Sequence, residues 1–345
     1  MLRVAPRMIV CAQKERHDRS VQDPRTPLAE SLVVSEAINA SPRGRYVEVC
    51  AGAGGLGLGL HAAGWTGTGI ELDADASETH RRHVGPCLTA DVTTCATPHS
   101  ADLVGGGVPC QSYSTNGKRE GLNDPRGQLF RALLRHAVEA NARAVVLENV
   151  RGLISCGALP VILSAFRAAG FEPVHALLNA CDFGVPQNRV RLFIAGFRNA
   201  DDLARFRWPQ PTHGAPGNLY RLPPWRTVRD ALGFAGDVGV TRIDRPSPCL
   251  TASEGKSALR FGSQGAKTGA RRAGDRLNPL FAAIEPGRRI TVADAKALQG
   301  FPANMEFVGD AESQFKQIGN AVAPAMGEAI GRSLWAALYG APQPL

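Results

Sequence analysis

Three places in the chain carry residue types that could do chemistry together. Cys110 has a thiol, which becomes a nucleophile where positive charge or N–H donors favour the thiolate. Glu148 follows the apolar segment 144–147, where burial would raise the pKa of its carboxyl and make it a proton donor. Arg189 and Arg191 offer guanidinium groups for charge-assisted contacts. The residues alone also allow an inert core thiol, since eight cysteines are present, and a buried ion pair between Glu148 and Arg191.

A glycine-rich loop at residues 50–57 could hold a nucleoside cofactor. It matches the G-x-G-x-x-G pattern, in which backbone N–H groups approach a ligand without obstruction by a Cβ atom. Glu71 ends the next predicted strand and could accept both hydroxyls of a ribose. Asp91 follows a third predicted strand and could accept the exocyclic amine of adenine, although an aspartate there is more often a cap or turn residue. The loop alone is also compatible with a nicotinamide-dependent oxidoreductase or with a tight structural turn.

Short apolar strands alternate with helical stretches from Arg45 onward, and these elements would position the reactive groups. Such alternation predicts a doubly wound, Rossmann-like α/β sheet, whose ligands lie at the carboxyl edge of the strands. Cys110 and Glu148 both follow predicted strands, so we expect both at that edge. The predicted strands cover residues 46–50, 66–70, 101–104, 144–147 and 190–196.

The alternation of predicted strands and helices ends after Arg198, where proline- and glycine-rich stretches begin. Further on, residues 256–296 are strongly basic, which is typical of a nucleic-acid surface or of a solvated basic face. Near the start of the chain, the apolar spacing at 28–34 predicts a short amphipathic helix. We predict an N-terminal extension at 1–40, a catalytic cofactor-binding domain at 41–197, a small, loop-rich target recognition domain at 198–304, and a C-terminal segment at 305–345 that completes the catalytic domain.

Composition narrows the class of protein. The 345 residues carry a formal net charge of +8, which favours a polyanion as partner over an acidic protein or a small cation. A hydrophobic content of 44% supports a large core. The cysteines form no Cys-x-x-Cys pair and no cluster at zinc-finger spacing, so we expect reduced thiols and no metal. No apolar run approaches the roughly 20 residues of a membrane span, and we expect a soluble, cytoplasmic protein.

The motifs, in their order along the chain, resemble those of the DNA cytosine-5 methyltransferases of bacterial type II modification systems. Six such motifs in order, over about residues 46–331, are far more specific than any one of them. Cys50 stands where the family more often has an aromatic residue, and Cys249 stands where a threonine is usual. The similar segments are the glycine loop, Pro-Cys-Gln at 109–111, Glu-Asn-Val at 148–150, Gln-x-Arg-x-Arg at 187–191, the stretch 289–302 and Gly-Asn-Ala-Val at 319–322.

The resemblance implies transfer of a methyl group from S-adenosyl-L-methionine to carbon 5 of cytosine in double-stranded DNA. Cys110 would add to carbon 6, and Glu148 would keep a proton at ring nitrogen 3. Arg191 would contact the cytosine carbonyl oxygen and the thiolate, with Arg189 in support. The target base would be flipped out of the duplex to reach them. The implied cofactor-binding residues are Cys50, Ala51, Gly52, Gly54, Gly55, Leu56, Glu71, Leu72, Asp91, Val92, Pro109, Asn320 and Ala321.

DNA contacts are expected from a lid at 112–126, from the motif at 245–252 and from the basic stretch at 256–276. The residues expected to make them are Ser112, Lys118, Arg119, Thr251, Lys256 and Arg260. The resemblance further implies a bacterial modification enzyme that acts as a monomer and is paired in function with a restriction endonuclease.

Three other functions share parts of this pattern. An RNA-directed cytosine methyltransferase would have the same catalytic residues, but the chain lacks the Cys-Phe-Thr tripeptide of the subgroup that modifies transfer RNA. An inactive DNA-binding relative is a second alternative, although every position that the chemistry requires is filled. The nicotinamide-dependent oxidoreductase explains neither the Pro-Cys pair at 109–110 nor the paired arginines.

Overall fold

A computed structural model describes residues 44–109, 129–233, 244–250 and 290–340 of the protein. Seven strands form one sheet in them. The strands are β1 (Arg45–Val49), β2 (Thr66–Glu71), β3 (Cys87–Thr89), β4 (Leu103–Gly107), β5 (Ala144–Val150), β6 (Glu172–Asn179) and β7 (Val190–Phe197). Their order is β3-β2-β1-β4-β5-β7-β6, with β7 antiparallel to both of its neighbours and the remaining pairs parallel. The predicted doubly wound α/β fold is therefore confirmed.

Helices cover both faces of this sheet. They are α1 (Gly55–Ala62), α2 (Ala74–His83), α3 (Phe130–Glu139), α4 (Gly152–Ser155), α5 (Leu159–Ala168), α6 (Ala200–Arg205), α7 (Val228–Leu232), α8 (Val292–Gln299), α9 (Ala311–Asn320) and α10 (Pro324–Tyr339). A short 3-10 helix, Ala180–Phe183, follows β6. Within the described part of the chain, no helix is long and apolar enough to cross a membrane. The helix predicted at 28–34 lies outside the described residues.

Two strands differ from the sequence expectation. The strand predicted at 101–104 extends as β4 to Gly107, because glycines fit between two neighbouring strands: a Cβ atom added at Gly106 would lie 2.4 Å from the carbonyl oxygen of Val49. Strand β6 was not predicted. It lies at the edge of the sheet and alternates exposed and buried residues, so it lacks the continuous apolar run of the central strands.

The core has one apolar layer on each face of the sheet. Helices α3 and α5 pack on one face, with Phe130 and Phe166 fully buried. Helices α1 and α10 pack on the other and approach closely through Gly59, where an added Cβ would lie 2.3 Å from the backbone nitrogen of Glu328 in α10. Trp65 donates a 3.0 Å hydrogen bond from Nε1 to the Gly331 carbonyl, which fastens α10 to the sheet. The last long helix is thus part of the same core as the first strand.

A third apolar cluster joins α7, α8 and α9 to the glycine loop. It contains Ala53 of that loop together with Leu250, Leu298 and Ile318. Threonines begin both α7 and α8 with a capping box, in which side chain and backbone satisfy each other's donors. The domain boundaries expected at 41, 198 and 305 stay predictions.

Candidate functional site

A cavity of about 700 Å³ lies at the carboxyl edge of the sheet, which is where ligands bind in open α/β folds. Its walls come from the ends of β1, β2, β4 and β5, from the start of β7 and from the turn between α9 and α10. Every cofactor-binding residue expected from the sequence lines this cavity except Gly54. Glu148, Arg189 and Arg191 line it as well. The fold therefore brings the glycine loop and the expected catalytic side chains to one place.

Gly54 lies elsewhere because it faces α2. Its backbone φ is +87°, and an added Cβ would lie 2.4 Å from Cγ2 of Val84 and 2.9 Å from Cδ2 of His80. A glycine is needed here for helix packing, and Gly54 does not line the cavity, so the cofactor contact expected of it stays a prediction. Gly52 is different: at φ +55°, an added Cβ would meet no atom within 4 Å. The open space over the loop is at Gly52.

Glu71 braces the glycine loop. Its Oε2 accepts a 2.8 Å hydrogen bond from the backbone N–H of Gly52, and its Oε1 accepts one of the same length from the N–H of Asp73. The Glu71 carboxylate therefore links the loop after β1 to the segment after β2. Both oxygens accept hydrogen bonds that hold the wall of the cavity in shape, and each retains further lone pairs for a ligand.

Cys50 occupies a left-handed backbone conformation, with φ +51°, directly before the glycine turn. Burial, followed by the charges of Glu71, Asp91 and Glu48, raises the pKa of its thiol to about 12. A thiol with such a pKa stays protonated at neutral pH, and only thiolates are nucleophilic. Cys50 is therefore an apolar wall residue of the cavity.

The opposite wall carries Asp91 and Val92. Oδ1 of Asp91 accepts hydrogen bonds from N and Oγ1 of Thr93, at 2.8 and 2.7 Å, and these bonds hold the pKa of Asp91 below its ordinary value. Asp91 is thus a turn residue that also lines the cavity. Helix α3 fixes this wall from behind, since Nη2 of Arg135 donates to the Val92 carbonyl at 2.7 Å and Nε2 of His136 lies 3.0 Å from it.

Glu148 and Arg191 form an ion pair across β5 and β7, with 3.0 Å between Oε1 and Nε. Arg191 lies opposite Val150 in the antiparallel register, so Arg191 and Glu148 share one face of the sheet. Only 8% of the Glu148 side chain and 12% of the Arg191 side chain are exposed. Burial raises the pKa of Glu148, while the charges of Arg191 and Arg189 oppose that rise. Glu148 therefore gains a proton more easily than an exposed glutamate does.

Asn149, to which the sequence analysis gave no role of its own, holds the segment that leads to Cys110. Its Nδ2 donates to the Val108 carbonyl at 3.3 Å, and its Oδ1 accepts from the N–H of Val150 at 2.8 Å. Cys110 itself lies outside the described residues, as do Ser112, Lys118, Arg119, Thr251, Lys256 and Arg260. Pro109, bonded to Cys110 in the chain, lines the cavity.

Arg189 is almost fully buried, at 1% exposure, and both terminal nitrogens of its guanidinium donate hydrogen bonds to the protein. Nη1 donates to the Leu250 carbonyl at 3.0 Å, and Nη2 donates to the carbonyls of Gly319 and Ala321 at 2.9 Å each. These bonds tie β7 to two distant segments that flank the cavity. The arrangement favours a positioning role for Arg189, whereas sequence reasoning placed it beside Arg191 as a catalytic residue.

Cys249 lies between the two arginines. Its Sγ accepts from Nη1 of Arg189 at 3.4 Å and from Nη2 of Arg191 at 3.5 Å. A threonine hydroxyl could accept the same two hydrogen bonds, which explains how cysteine can replace it. Gln187 begins the 187–191 motif that contains both arginines. Its side chain donates to Gln299 Oε1 at 2.7 Å and accepts from the Leu250 N–H at 3.0 Å.

A further pair of charged residues at the cavity was not found from the sequence. Lys316 Nζ lies 2.6 Å from Oδ2 of Asp73, and both side chains line the cavity. Partial burial raises the pKa of Asp73, but the hydrogen bond and charge of Lys316, together with hydrogen bonds from the N–H groups of Ala76 and Asp75, bring the pKa below its ordinary value. Asp73 follows β2 and caps α2, a local signal that sequence reasoning could have used. Lys316 on α9 carries no such signal.

Comparisons with known proteins identify the family of the chain. The model of the C-5 cytosine-specific DNA methylase family matches residues 44–232 and 242–336. Type II methyltransferase M.NaeI of Lentzea aerocolonigenes is 32% identical over 321 residues, which cover 85% of this chain and 75% of that protein. Type II methyltransferase M.NlaX of Neisseria lactamica is 33% identical over 283 residues, which cover 78% of this chain and 88% of that protein.

Structural comparison gives the same fold. The crystal structure of the S. pombe Dnmt2 methyltransferase aligns with a TM-score of 0.60 at 17% identity, covering 86% of this chain and all of that one. The family match covers most of the sequence, including the glycine loop, the Glu148–Arg191 pair and the closing turn. The protein belongs to the C-5 cytosine-specific DNA methylase family and is a DNA cytosine methyltransferase.

Proposed function

We propose that the protein uses S-adenosyl-L-methionine to methylate carbon 5 of a cytosine flipped out of one specific double-stranded DNA sequence, with Cys110 as covalent nucleophile. The observation that carries the proposal is the Glu148–Arg191 pair, which lines the same cavity as the glycine loop and Pro109. A modification role beside a restriction endonuclease accords with the type II methyltransferases that the chain resembles. The protein would act as a monomer in the cytoplasm.

The residues of the cavity fit this cofactor. The open space over Gly52 admits a ligand to the loop backbone, and the carboxylates of Glu71 and Asp91 are acceptors for ribose hydroxyls and an adenine amine. Leu72, 69% exposed beside Glu71, offers an apolar face to a flat ring. When bound, the cofactor supplies an electrophilic methyl group. Lys316 and Asp73 would close the polar end of the same cavity.

Three side chains would make the cytosine ring reactive. The Cys110 thiolate would add to carbon 6, which makes carbon 5 electron-rich and splits one difficult step into two easier ones. Glu148, with its pKa raised by burial, would donate a proton to ring nitrogen 3 so that negative charge does not build up on the base. Arg191 would hydrogen-bond the carbonyl oxygen. After carbon 5 is methylated, its proton passes to water, the bond between Sγ and carbon 6 breaks with release of the thiolate, and the proton on ring nitrogen 3 returns to Glu148.

A stacked cytosine cannot enter a cavity at the sheet edge, so the target nucleotide must leave the duplex. In this proposal the DNA lies between the catalytic domain and the recognition domain predicted at 198–304. The lid predicted at 112–126 and the cations at 256 and 260 would contact the DNA backbone.

Bisulfite sequencing tests the proposal directly. Plasmid DNA is isolated from cells that express the protein, and from cells that express Cys110→Ser or the control variant Cys156→Ser. Cys156 is exposed and does not line the cavity. We expect protected cytosines in one short sequence context with the unaltered protein and the control, and none with Cys110→Ser. Protection that persists in Cys110→Ser would exclude the covalent mechanism, and no protection with any variant would contradict the function.

A further inference from the structure

A loop at residues 212–226, here called the anchored loop, carries the two most exposed large apolar side chains among the described residues. Leu219 is 96% exposed and Tyr220 is 85% exposed. Single exposed apolar residues are ordinary on protein surfaces, but two adjacent ones at the tip of an ordered loop suggest a contact surface.

Both ends of the anchored loop are fastened to Asp182. The Asp182 carbonyl accepts from the N–H groups of Thr212 and His213, at 2.8 and 3.0 Å. Its carboxylate Oδ1 accepts from Nε1 of Trp225 at 2.9 Å. Because one residue holds the entry and the exit of the loop, the tip has a fixed base.

The tip itself is braced from inside. Oδ1 of Asn218 accepts from the N–H of Leu222 at 2.9 Å, while its Nδ2 donates to the carbonyls of Leu222 and Ala215 at 3.0 Å each. Arg221, between them, has a backbone φ of +54°, which non-glycine residues rarely adopt. Residues in such sparsely populated backbone conformations cluster at active sites, ligand clamps and switch regions.

The anchored loop stands at the edge of the sheet that holds the cavity. Asp182 follows the end of β6, where Asn179 pairs with Val190 of β7. The next residue, Arg191, pairs with Val150 at the end of β5 and lines the cavity. A duplex that presents a base to the cavity must therefore pass over this edge.

The charged side chains of the anchored loop itself are all positive, although the Asp182 carboxylate lies at its base. Residues 203–229 contain five arginines and neither aspartate nor glutamate. Of these arginines, Arg221 and Arg226 are exposed and form no ion pair with the described part of the chain. An acid-free basic segment of this kind complements a phosphate backbone better than it complements an acidic peptide groove or a second copy of itself.

We propose that the anchored loop is a DNA-contacting element of this methyltransferase. Arg221 and Arg226 bind phosphates next to the target nucleotide, and Leu219 and Tyr220 pack in the adjacent groove against sugars and base edges. The inference rests on the proposed function, since it requires duplex DNA as the substrate. It adds four contact residues to those expected from the motifs.

Salt titration of DNA binding separates the two kinds of contact. Binding of a fluorescent mixed-sequence duplex is measured over a range of salt concentrations for the full-length protein, for Arg221→Gln with Arg226→Gln, and for Leu219→Ser with Tyr220→Ser. Each lost phosphate contact reduces the slope of log K against log salt by about 0.9. The arginine variant should lose about two such contacts. The apolar variant should bind roughly tenfold more weakly with an unchanged slope, because apolar contacts release no counterions.

Two controls come from the opposite edge of the sheet. Arg167 is exposed and pairs with Glu172 at the start of β6, about 20 Å along the strands from the anchored loop. Val138, near the end of α3, is 48% exposed. Arg167→Gln and Val138→Ser should leave affinity and slope unchanged. Thermal unfolding of every variant, together with methyl transfer to plasmid DNA, is measured in parallel.

The outcomes distinguish the two proposals. If the unaltered protein methylates plasmid DNA while both anchored-loop variants bind DNA as it does, the loop proposal is wrong and the proposed function stands. If the unaltered protein neither binds nor methylates duplex DNA, both fail. If the apolar variant changes only the association state in sedimentation, the tip is a surface for a second copy, and the loop proposal is overturned.

Discussion

Nε of Arg191 lies 3.0 Å from Oε1 of Glu148, and the two side chains reach each other across adjacent antiparallel strands. The pair has a consequence for the reaction. If Arg191 turns toward the carbonyl oxygen of a bound base, the carboxylate of Glu148 loses its nearest positive charge, and its pKa must rise further. Binding of the base would thus favour the protonated acid that the chemistry needs.

The pH dependence of turnover follows from Glu148. Its raised pKa keeps the carboxyl protonated to higher pH than an ordinary glutamic acid, so activity should be present below that pKa and fall as pH rises through it. Glu148→Gln cannot titrate or transfer a proton, and should lower kcat about 10² to 10⁴-fold. The measurement is kcat against pH at saturating cofactor and DNA. An alkaline limb that is the same in Glu148→Gln would assign it to another group.

Arg189 and Arg191 should differ in what their loss affects. Arg189→Met leaves the buried carbonyls of Leu250, Gly319 and Ala321 without their donor, at about 1–3 kcal/mol for each unsatisfied group. We expect a large fall in the free energy of unfolding for Arg189→Met. Arg191→Met should mainly lower kcat. Urea unfolding and single-turnover kinetics of both variants make the comparison, and equal stability losses would contradict the assigned roles.

Cys249 should tolerate a threonine and reject a valine. Cys249→Thr retains an acceptor for Nη1 of Arg189 and Nη2 of Arg191. Cys249→Val has the shape of threonine but no hydrogen-bond acceptor. We expect near-unaltered kcat for the threonine variant and about a tenfold loss for the valine variant, because an Arg191 guanidinium without this acceptor is less well oriented. Steady-state kinetics with Cys156→Val as control test this. Equal kcat for both Cys249 variants would show that the sulfur orients neither arginine.

Glu71 should act on cofactor affinity. Glu71→Ala removes the acceptor for the Gly52 and Asp73 N–H groups as well as any ribose contact, while Glu71→Gln keeps one carbonyl oxygen. The cofactor Kd, measured by calorimetry, should rise about 10 to 100-fold for alanine and less for glutamine. Rates at saturating cofactor should change little. A cofactor Kd that is unaffected in Glu71→Ala would argue against the ribose role.

Much of the fold could be predicted because the central strands are buried on both faces. Continuous apolar runs mark β5 and β7 in the sequence, within a few residues of their observed bounds. Strand β6 was missed, since an edge strand needs no such run. The end of β4 was missed because Gly105 to Gly107 resemble a turn in one dimension, whereas in three dimensions they fit against neighbouring strands.

The site was predictable only so far as its residues belong to ordered motifs. Glu148, Arg191 and Glu71 were found in this way, and all three line the cavity. Sequence could not separate the tasks of Arg189 and Arg191, because burial decides them and the two residues are of the same type. The Lys316–Asp73 pair joins α9 to α2, and such a long-range contact leaves no local pattern in the chain.

The turn between α9 and α10 closes the cavity beside the glycine loop, where an added Cβ at Gly55 would lie 2.1 Å from the carbonyl oxygen of Val322. On the ribosome, the glycine loop is made long before this turn. A nascent chain can form the central strands early, yet the cavity lacks one wall until residues 319–322 have emerged. The ability to transfer methyl groups would thus arise late in translation. Chains truncated before that point would fold in part but could not methylate DNA.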